Sequence, residues 1–161
     1  MSSTQTLVKS SLNSYRIGDT DQRPWGEYVV INVGKETSGE EYCEKEITVN
    51  PGQILSLQSH ELRRERWTVL KGTLTVVSDD TRIDLTEGES IDIPLGAIHC
   101  MSNRFDKPCV VHERQMGTCS EEDIIRYADA YGRAPGETTP QIAKSVKHFN
   151  DILAEIQKKS A

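Results

Sequence analysis

Residues Gly52–Gly72 read GQILSLQSHELRRERWTVLKG, and the periodicity of this stretch decides the fold. In a β-strand alternate side chains share a face. At that period Ser56, Gln58 and His60 point one way, and Leu55 and Leu57 the other. After a short polar turn Glu65, Trp67 and Val69 resume a face. A hairpin here brings together the Gln58 carboxamide oxygen, the His60 imidazole and the Glu65 carboxylate, which are acceptable ligands for a divalent first-row metal. The chain offers a fourth ligand at His99. It lies in Gly88–Asn103, GESIDIPLGAIHCMSN, where Pro94 and Gly96 shape a turn just before it.

Any one of these residues alone is more often a satisfied polar group than a ligand. The paired spacings change that reading. Gly52, five residues, Gln58, one residue, His60, four residues, Glu65, six residues and Gly72 resembles the first signature of the cupins, with Gln58 where many cupins carry His. Gly88, five residues, Pro94-x-Gly96, two residues, His99, three residues and Asn103 resembles the second. The resemblance implies an all-β jelly-roll barrel.

Bulk properties bound the answer without deciding it. At 161 residues and 35% apolar the chain is long enough for one domain with its own core. A net charge of -6 argues against nucleic acid as a partner, and any phosphate must be met by local Lys and Arg. Cys43, Cys100, Cys109 and Cys119 form no C-x-x-C pair, no stretch near the N-terminus reads as a signal peptide, and nothing approaches a membrane span. Reduced thiols in the cytoplasm are expected.

Residues 1–22, rich in Ser and Thr at their start, read as an N-terminal arm, 23–118 as the barrel and 119–161 as a C-terminal helical extension. A strand is expected through Tyr28–Val33. Over 42–49, Cys43, Lys45, Ile47 and Val49 share a face, so Lys45 is the one charge on an otherwise apolar side. It either snorkels to water from a strand end or lines the cavity as a cation for an anionic ligand. Further strands are expected at 54–60, 65–71, 73–78, 82–85, 91–93 and 109–116, separated by turn residues such as Ser78-Asp79-Asp80. In the last of them Val111, Glu113 and Gln115 share a face. Glu113 then serves as an acid or base near the metal, or pairs with a nearby Arg.

Two helices are expected after the strands. Ser120 with Asp123 resembles a capping box opening EEDIIRYADAYG, closed by Gly132. Thr139-Pro140 starts a final helix in which Ile142, Val146, Phe149, Leu153 and Ile156 form an apolar stripe. That stripe packs on the barrel or on a partner subunit, and with exposed sheet edges it predicts a homodimer.

Particular words of the sequence resemble one family. Arg23–Gly26 (RPWG), PGQILSLQSHELRRERW, IPLGAIH and EEDIIRYADAYGR together are similar to the C-terminal domain of type II mannose-6-phosphate isomerases, over roughly Arg23–Arg133. That domain usually follows a mannose-1-phosphate guanylyltransferase domain, and here a freestanding isomerase domain is expected. The resemblance implies one divalent metal, zinc or manganese, on Gln58, His60, Glu65 and His99. It implies a small-molecule phosphosugar substrate, mannose 6-phosphate or fructose 6-phosphate. Glu113 and Arg63 are the catalytic candidates, and Lys45, Arg63, Ser56, Arg23 and Arg133 the substrate-binding ones. Where the family usually reads Glu-His-Trp this chain has Glu65-Arg66-Trp67, and an alanine position becomes Arg64. The alternative reading is a non-catalytic metal-containing cupin that binds a sugar phosphate or sugar nucleotide. An iron oxygenase is weaker, because Gln58 replaces the His those sites commonly use.

Overall fold

The strands at the centre of the molecule follow the period of two. In β3 (Glu41–Val49) Cys43, Lys45, Ile47 and Val49 are buried; in β6 (Arg63–Lys71) Arg63, Glu65, Trp67 and Val69 are; in β11 (Cys109–Gly117) Cys109, Val111, Glu113 and Gln115 are. The computed structural model of the chain describes residues 15–120, 122–130 and 139–160. The other strands are β1 (Thr20–Arg23), β2 (Gly26–Lys35), β4 (Gln53–Ile54), β5 (Leu57–Ser59), β7 (Leu74–Ser78), β8 (Thr81–Leu85), β9 (Ser90–Ile93), β10 (His99–Asn103) and β12 (Ile125–Ala128).

These strands form two antiparallel sheets, ordered β1-β2-β3-β11-β6-β9 and β12-β5-β10-β7-β8, with β4 also pairing β10. Their inner faces share one core, in which Val30, Ile47, Trp67 and Val111 of the first sheet meet Leu74, Val76 and Met101 of the second. This is the jelly-roll barrel that the sequence predicts. A helix, α1 (Pro140–Ser160), covers the outer face of the second sheet. Its Phe149, Ile152 and Ile156 bury against Ile54, Leu57, Val77 and Cys100. The cap forms as expected, with the Ile142 N–H donating to Thr139 Oγ1 at 3.2 Å. The stripe is thus covered by the chain's own barrel, and it supplies no argument for a second copy.

The structure corrects four expectations. The run 54–60 is not one strand: it breaks at Leu55 and Ser56 into β4 and β5, and Leu55 joins the inter-sheet core with the cavity-facing residues. Strand β10 was not expected. Its five residues, HCMSN, are all buried, because α1 covers one side and the core the other, so no alternation marks it. The arm expected over 1–22 ends early: Tyr15 is already in the core and Thr20–Arg23 pairs with β2, while residues 1–14 lie outside the described residues.

The fourth correction concerns the helix expected from Ser120 to Gly132. Ser120 and Asp123 form a turn, in which the Asp123 N–H donates to the Ser120 carbonyl at 3.3 Å, and the chain then enters β12. The edge of β5 offers unpaired backbone groups that must be satisfied, and Ile125 and Tyr127 fit a pleated surface better than a helix. One helix, not two, is therefore found among the described residues; 131–138, with Gly132, lie outside them.

All four cysteines are buried and free. Burial pushes the Cys43 and Cys119 thiols up to about 12 and Cys109 to about 11. No helix among the described residues is long and apolar enough to cross a membrane.

Two glycines separate backbone conformation from close packing. Gly72 and Gly96 have nearly equal positive φ, 76° and 79°. A Cβ on Gly72 would stand 2.7 Å from the Pro108 carbonyl oxygen, whereas one on Gly96 would meet nothing within 4 Å. Gly96→Ala should therefore cost about 1–2 kcal/mol, the left-handed penalty alone. Gly72→Ala should add about 1–3 kcal/mol for the forced backbone shift. Urea denaturation of both variants checks the difference, and equal losses would contradict the packing.

Candidate metal centre and cavity

The inward faces of both sheets converge on a cavity of about 80 Å³. The first sheet contributes two rows of cross-strand neighbours. Lys45, Glu113 and Trp67 are in register across β3, β11 and β6, and Cys43, Gln115 and Glu65 form the next row. The second sheet contributes Gln58 of β5 and His99 of β10, which are direct partners. His60 follows at the end of β5. The hairpin expected from Gly52–Gly72 therefore closes not on itself but across the barrel, with Glu65 reaching the two histidines from the opposite sheet.

His60, Glu65 and His99 are all buried, and their ligand atoms lie within 4.8 Å of one another. Carbonyl oxygens only accept, so the short contacts to backbone fix both tautomers. His60 Nδ1 donates to the Asp123 carbonyl at 2.6 Å, and His99 Nδ1 donates to the Ala97 carbonyl at 3.0 Å. His60 Nε2 is left as the acceptor for the Arg63 guanidinium, which only donates, and burial leaves His99 Nε2 bare. His60 Nε2 stands 3.2 Å from Glu65 Oε2, and His99 Nε2 stands 3.8 Å from Glu65 Oε1. Ligand atoms about 2.0–2.2 Å from a shared ion stand about 2.8–3.6 Å apart at tetrahedral or octahedral angles. The His60 contact falls inside that span and the His99 contact just outside it, so these facing acceptors, with each histidine held from behind, fit a divalent cation on which the group closes slightly. Gln58, beside His99, lines the same space.

The charges around this group are strongly perturbed. Burial alone would push the Glu65 carboxyl up; the positive charge around it, the Arg63 guanidinium above all, outweighs that and holds it well below the usual range. Trp67 Nε1 donates to Glu65 Oε1 at 2.9 Å and Arg63 Nε to Oε2 at 3.1 Å. Arg63 also donates from Nη2 to His60 Nε2 at 3.1 Å. Burial holds the His99 imidazole down, to about 4. On the same wall Glu113 moves the other way. Burial, then repulsion from Glu65, pushes it up to about 7 against the pull of Lys45 and Arg63. The hydrogen bond it accepts comes from the Gln115 side-chain amide two residues along the same face.

Of the other residues singled out from sequence, Lys45 is buried and lines the cavity, with its Nζ 3.8 Å from the Tyr15 ring centroid and 4.2 Å from that of Tyr28. It does not snorkel. Ser56 and Arg23 line the cavity too, Arg23 pairing with Asp21 at 2.7 Å. Arg133 lies outside the described residues. Arg66 points outward and pairs with Asp92 of β9 at 2.9 Å, and Arg64 pairs with Glu40 on the same outer surface. Both departures from the family's ligand loop thus leave the cavity wall untouched.

Sequence reasoning missed Arg126, which lines the cavity beside Gln58, its register partner. The signal was present: read at a period of two, Ile124 and Arg126 share a face, and both line the cavity. The helical reading of that segment hid it. Gln115 was placed on the Glu113 face without a role, and the structure gives it the contact to that carboxyl.

Comparison with known proteins places this geometry. The family described as "Mannose-6-phosphate isomerase C-terminal" matches residues 11–129. The chain is 43% identical over 122 residues to a mannose-1-phosphate guanylyltransferase of Escherichia coli, covering 75% of this chain and 24% of that protein. It is 43% identical over 112 residues to the xanthan biosynthesis protein XanB of Xanthomonas campestris, covering 69% and 23%. It is 39% identical over 124 residues to the alginate biosynthesis protein AlgA of Pseudomonas aeruginosa, covering 76% and 25%. The chain spans about a quarter of the length of these curated relatives. Among solved structures it superposes on the capsular polysaccharide assembling protein CapF of Staphylococcus aureus with a TM-score of 0.56 at 18% identity, over 71% of this chain and 32% of that one. An RmlC-like cupin of Shewanella frigidimarina gives 0.56 at 14% identity, over 69% and 97%. These structural likenesses show the cupin fold.

Metal analysis tests the ligand set. The wild-type protein should hold about one divalent ion per chain after reconstitution, and His60→Ala combined with His99→Ala should hold none. Unchanged stoichiometry in the double variant would contradict the assignment.

Proposed function

The chain belongs to the mannose-6-phosphate isomerase C-terminal family, and from that premise we propose that it is a metal-dependent aldose–ketose isomerase interconverting mannose 6-phosphate and fructose 6-phosphate. The observation that carries this reading is the pair of buried carboxyls on one wall. Glu65 stays ionised among the histidines, while Glu113 is raised to about 7. Environments that push two carboxyls apart divide the work between a ligand and a proton carrier.

Isomerisation moves a proton from C2 of the open-chain aldose to C1 and the O2 hydroxyl proton to O1, with charge growing on the sugar oxygens in between. A zinc or manganese ion held by Gln58, His60, Glu65 and His99 would supply Lewis-acid stabilisation of that charge. Glu113 takes up the proton on the carboxylate oxygen not engaged by Gln115 and delivers it to the neighbouring carbon. Arg63, beside Glu65 and His60, meets that growing charge. Lys45, with Arg23, Arg126 and Ser56, holds the phosphate end. The rival reading, a cupin that binds a sugar phosphate or nucleotide without turnover, drew support from Arg66, and Arg66 lies on the outer face.

The free, buried thiols suit a reducing compartment, and the cytoplasm is part of this proposal. A homodimer is also part of it, through the open edges of the two sheets.

Three kinetic outcomes follow for metal-reconstituted protein in an assay coupled to fructose 6-phosphate formation. Glu113→Gln should lower kcat by about 10²–10⁴ without loss of metal. In the wild type, activity should fall as pH falls through about 7, or somewhat lower with a cation's charge beside Glu65, because the base must be ionised. That acid limb should vanish from the residual rate of Glu113→Gln. Lys45→Met should mainly raise KM, by about ten- to a hundredfold for one lost charge-assisted contact, and Arg63→Met should lower kcat as well. A wild-type rate no better than a metal-only blank would end the isomerase reading.

A further inference from the structure

We propose that Asp123 is a positioning residue for the metal centre: its carboxylate clamps the ligand loop to β12 while its carbonyl fixes the His60 ring. Asp123 lies in the turn before β12, outside both motifs that carry the ligands. Its Oδ1 accepts the Glu61 N–H at 3.0 Å and its Oδ2 accepts the Leu62 N–H at 2.9 Å. Its main-chain carbonyl accepts the His60 Nδ1–H at 2.6 Å. One residue therefore meets three successive residues of the loop that runs from ligand His60 towards ligand Glu65. Gly96 holds the same loop from its other side, donating to the His60 carbonyl at 2.9 Å, but it does not touch the ring.

The arrangement works as a unit. A ring whose Nδ1–H is donated has a bare Nε2, the form that binds a cation, and its plane is set by the carbonyl's position. That carbonyl stays in place only while the turn is pinned, and the carboxylate pins it with two charge-assisted hydrogen bonds. The residue type is demanding. Each carboxylate oxygen serves one N–H, so an asparagine of the same shape would turn an N–H₂ group towards one of the two donors. The segment read from sequence as a helix cap is on this view the buttress of the metal site.

The proposal rests on His60 as a metal ligand, and two readouts keep the two claims apart. In the metal-free protein, long-range ¹H–¹⁵N correlations of the four histidine rings should show His60 as the Nδ1–H tautomer. In Asp123→Asn that tautomer should no longer be fixed, while His99, held by Ala97, keeps its own. Cobalt affinity by chelator competition should fall about 10–100-fold in Asp123→Asn. Asp123→Glu, which keeps both oxygens on a longer stem, should recover part of that loss. It also stands in if the asparagine variant does not fold: its own affinity must then lie below the wild type's. In a His60→Ala background the Asp123 substitution should have no further effect on cobalt affinity. A wild type that binds cobalt, with an Asp123 variant that matches it within twofold and keeps the His60 tautomer, overturns the proposal alone. A wild type that takes up no cobalt overturns the metal reading and this proposal together.

Discussion

The ionised Glu65 carboxylate, buried between two sheets, is the constraint on which the rest of the site depends. A lone carboxylate in such a place would be far too costly to keep charged. The chain answers from the same strand, where Trp67 and Arg63 donate to it, while His60 and His99 face it from the opposite sheet with the acceptors that a shared cation would bind. Because those partners come from β5, β6 and β10, the charge and the closure of the barrel are one problem. Removing Glu65 would leave Arg63 and two neutral imidazoles without their common counterpart.

The same buried charge acts on its neighbour along the wall. Glu113 sits in an equally dry position, but its nearest strong influence beyond burial is the negative Glu65, so it holds its proton up to about 7. Lys45 and Arg63 limit that shift. One wall thus carries a carboxyl that stays ionised and one that changes charge near neutrality, which is the division an enediol mechanism needs. Cys43, in the row of Gln115 and Glu65, and Cys119, in the same core, stay protonated and play the part of small apolar groups.

Much of this was legible in the sequence wherever a strand is buried on one face. The alternation in Cys43–Val49, Glu65–Val69 and Val111–Gln115 gave the inward sets correctly, including the charged members Lys45 and Glu113. It failed where two faces are covered, as in His99–Asn103, or where the local pattern admits two structures. Asp123–Ala128 has a plausible cap and enough apolar residues for a helix; what makes it a strand is the open edge of β5, which no local pattern records. That misreading concealed the cavity position of Arg126 and the contacts of Asp123 with the loop after His60. Arg66 alternates with the inward Glu65 and Trp67, which puts it on the outer face, and its ion pair with Asp92 supplies the reason it stays there.

The most direct test of the central claim is proton exchange at the sugar carbons. Metal-reconstituted protein is incubated with fructose 6-phosphate in D₂O and followed by proton NMR. The account predicts loss of one C1 proton signal and appearance of mannose 6-phosphate bearing deuterium at C2, both abolished in Glu113→Gln although its metal content is unchanged. Retention of both C1 protons, at the rate of a metal-only blank, would contradict it.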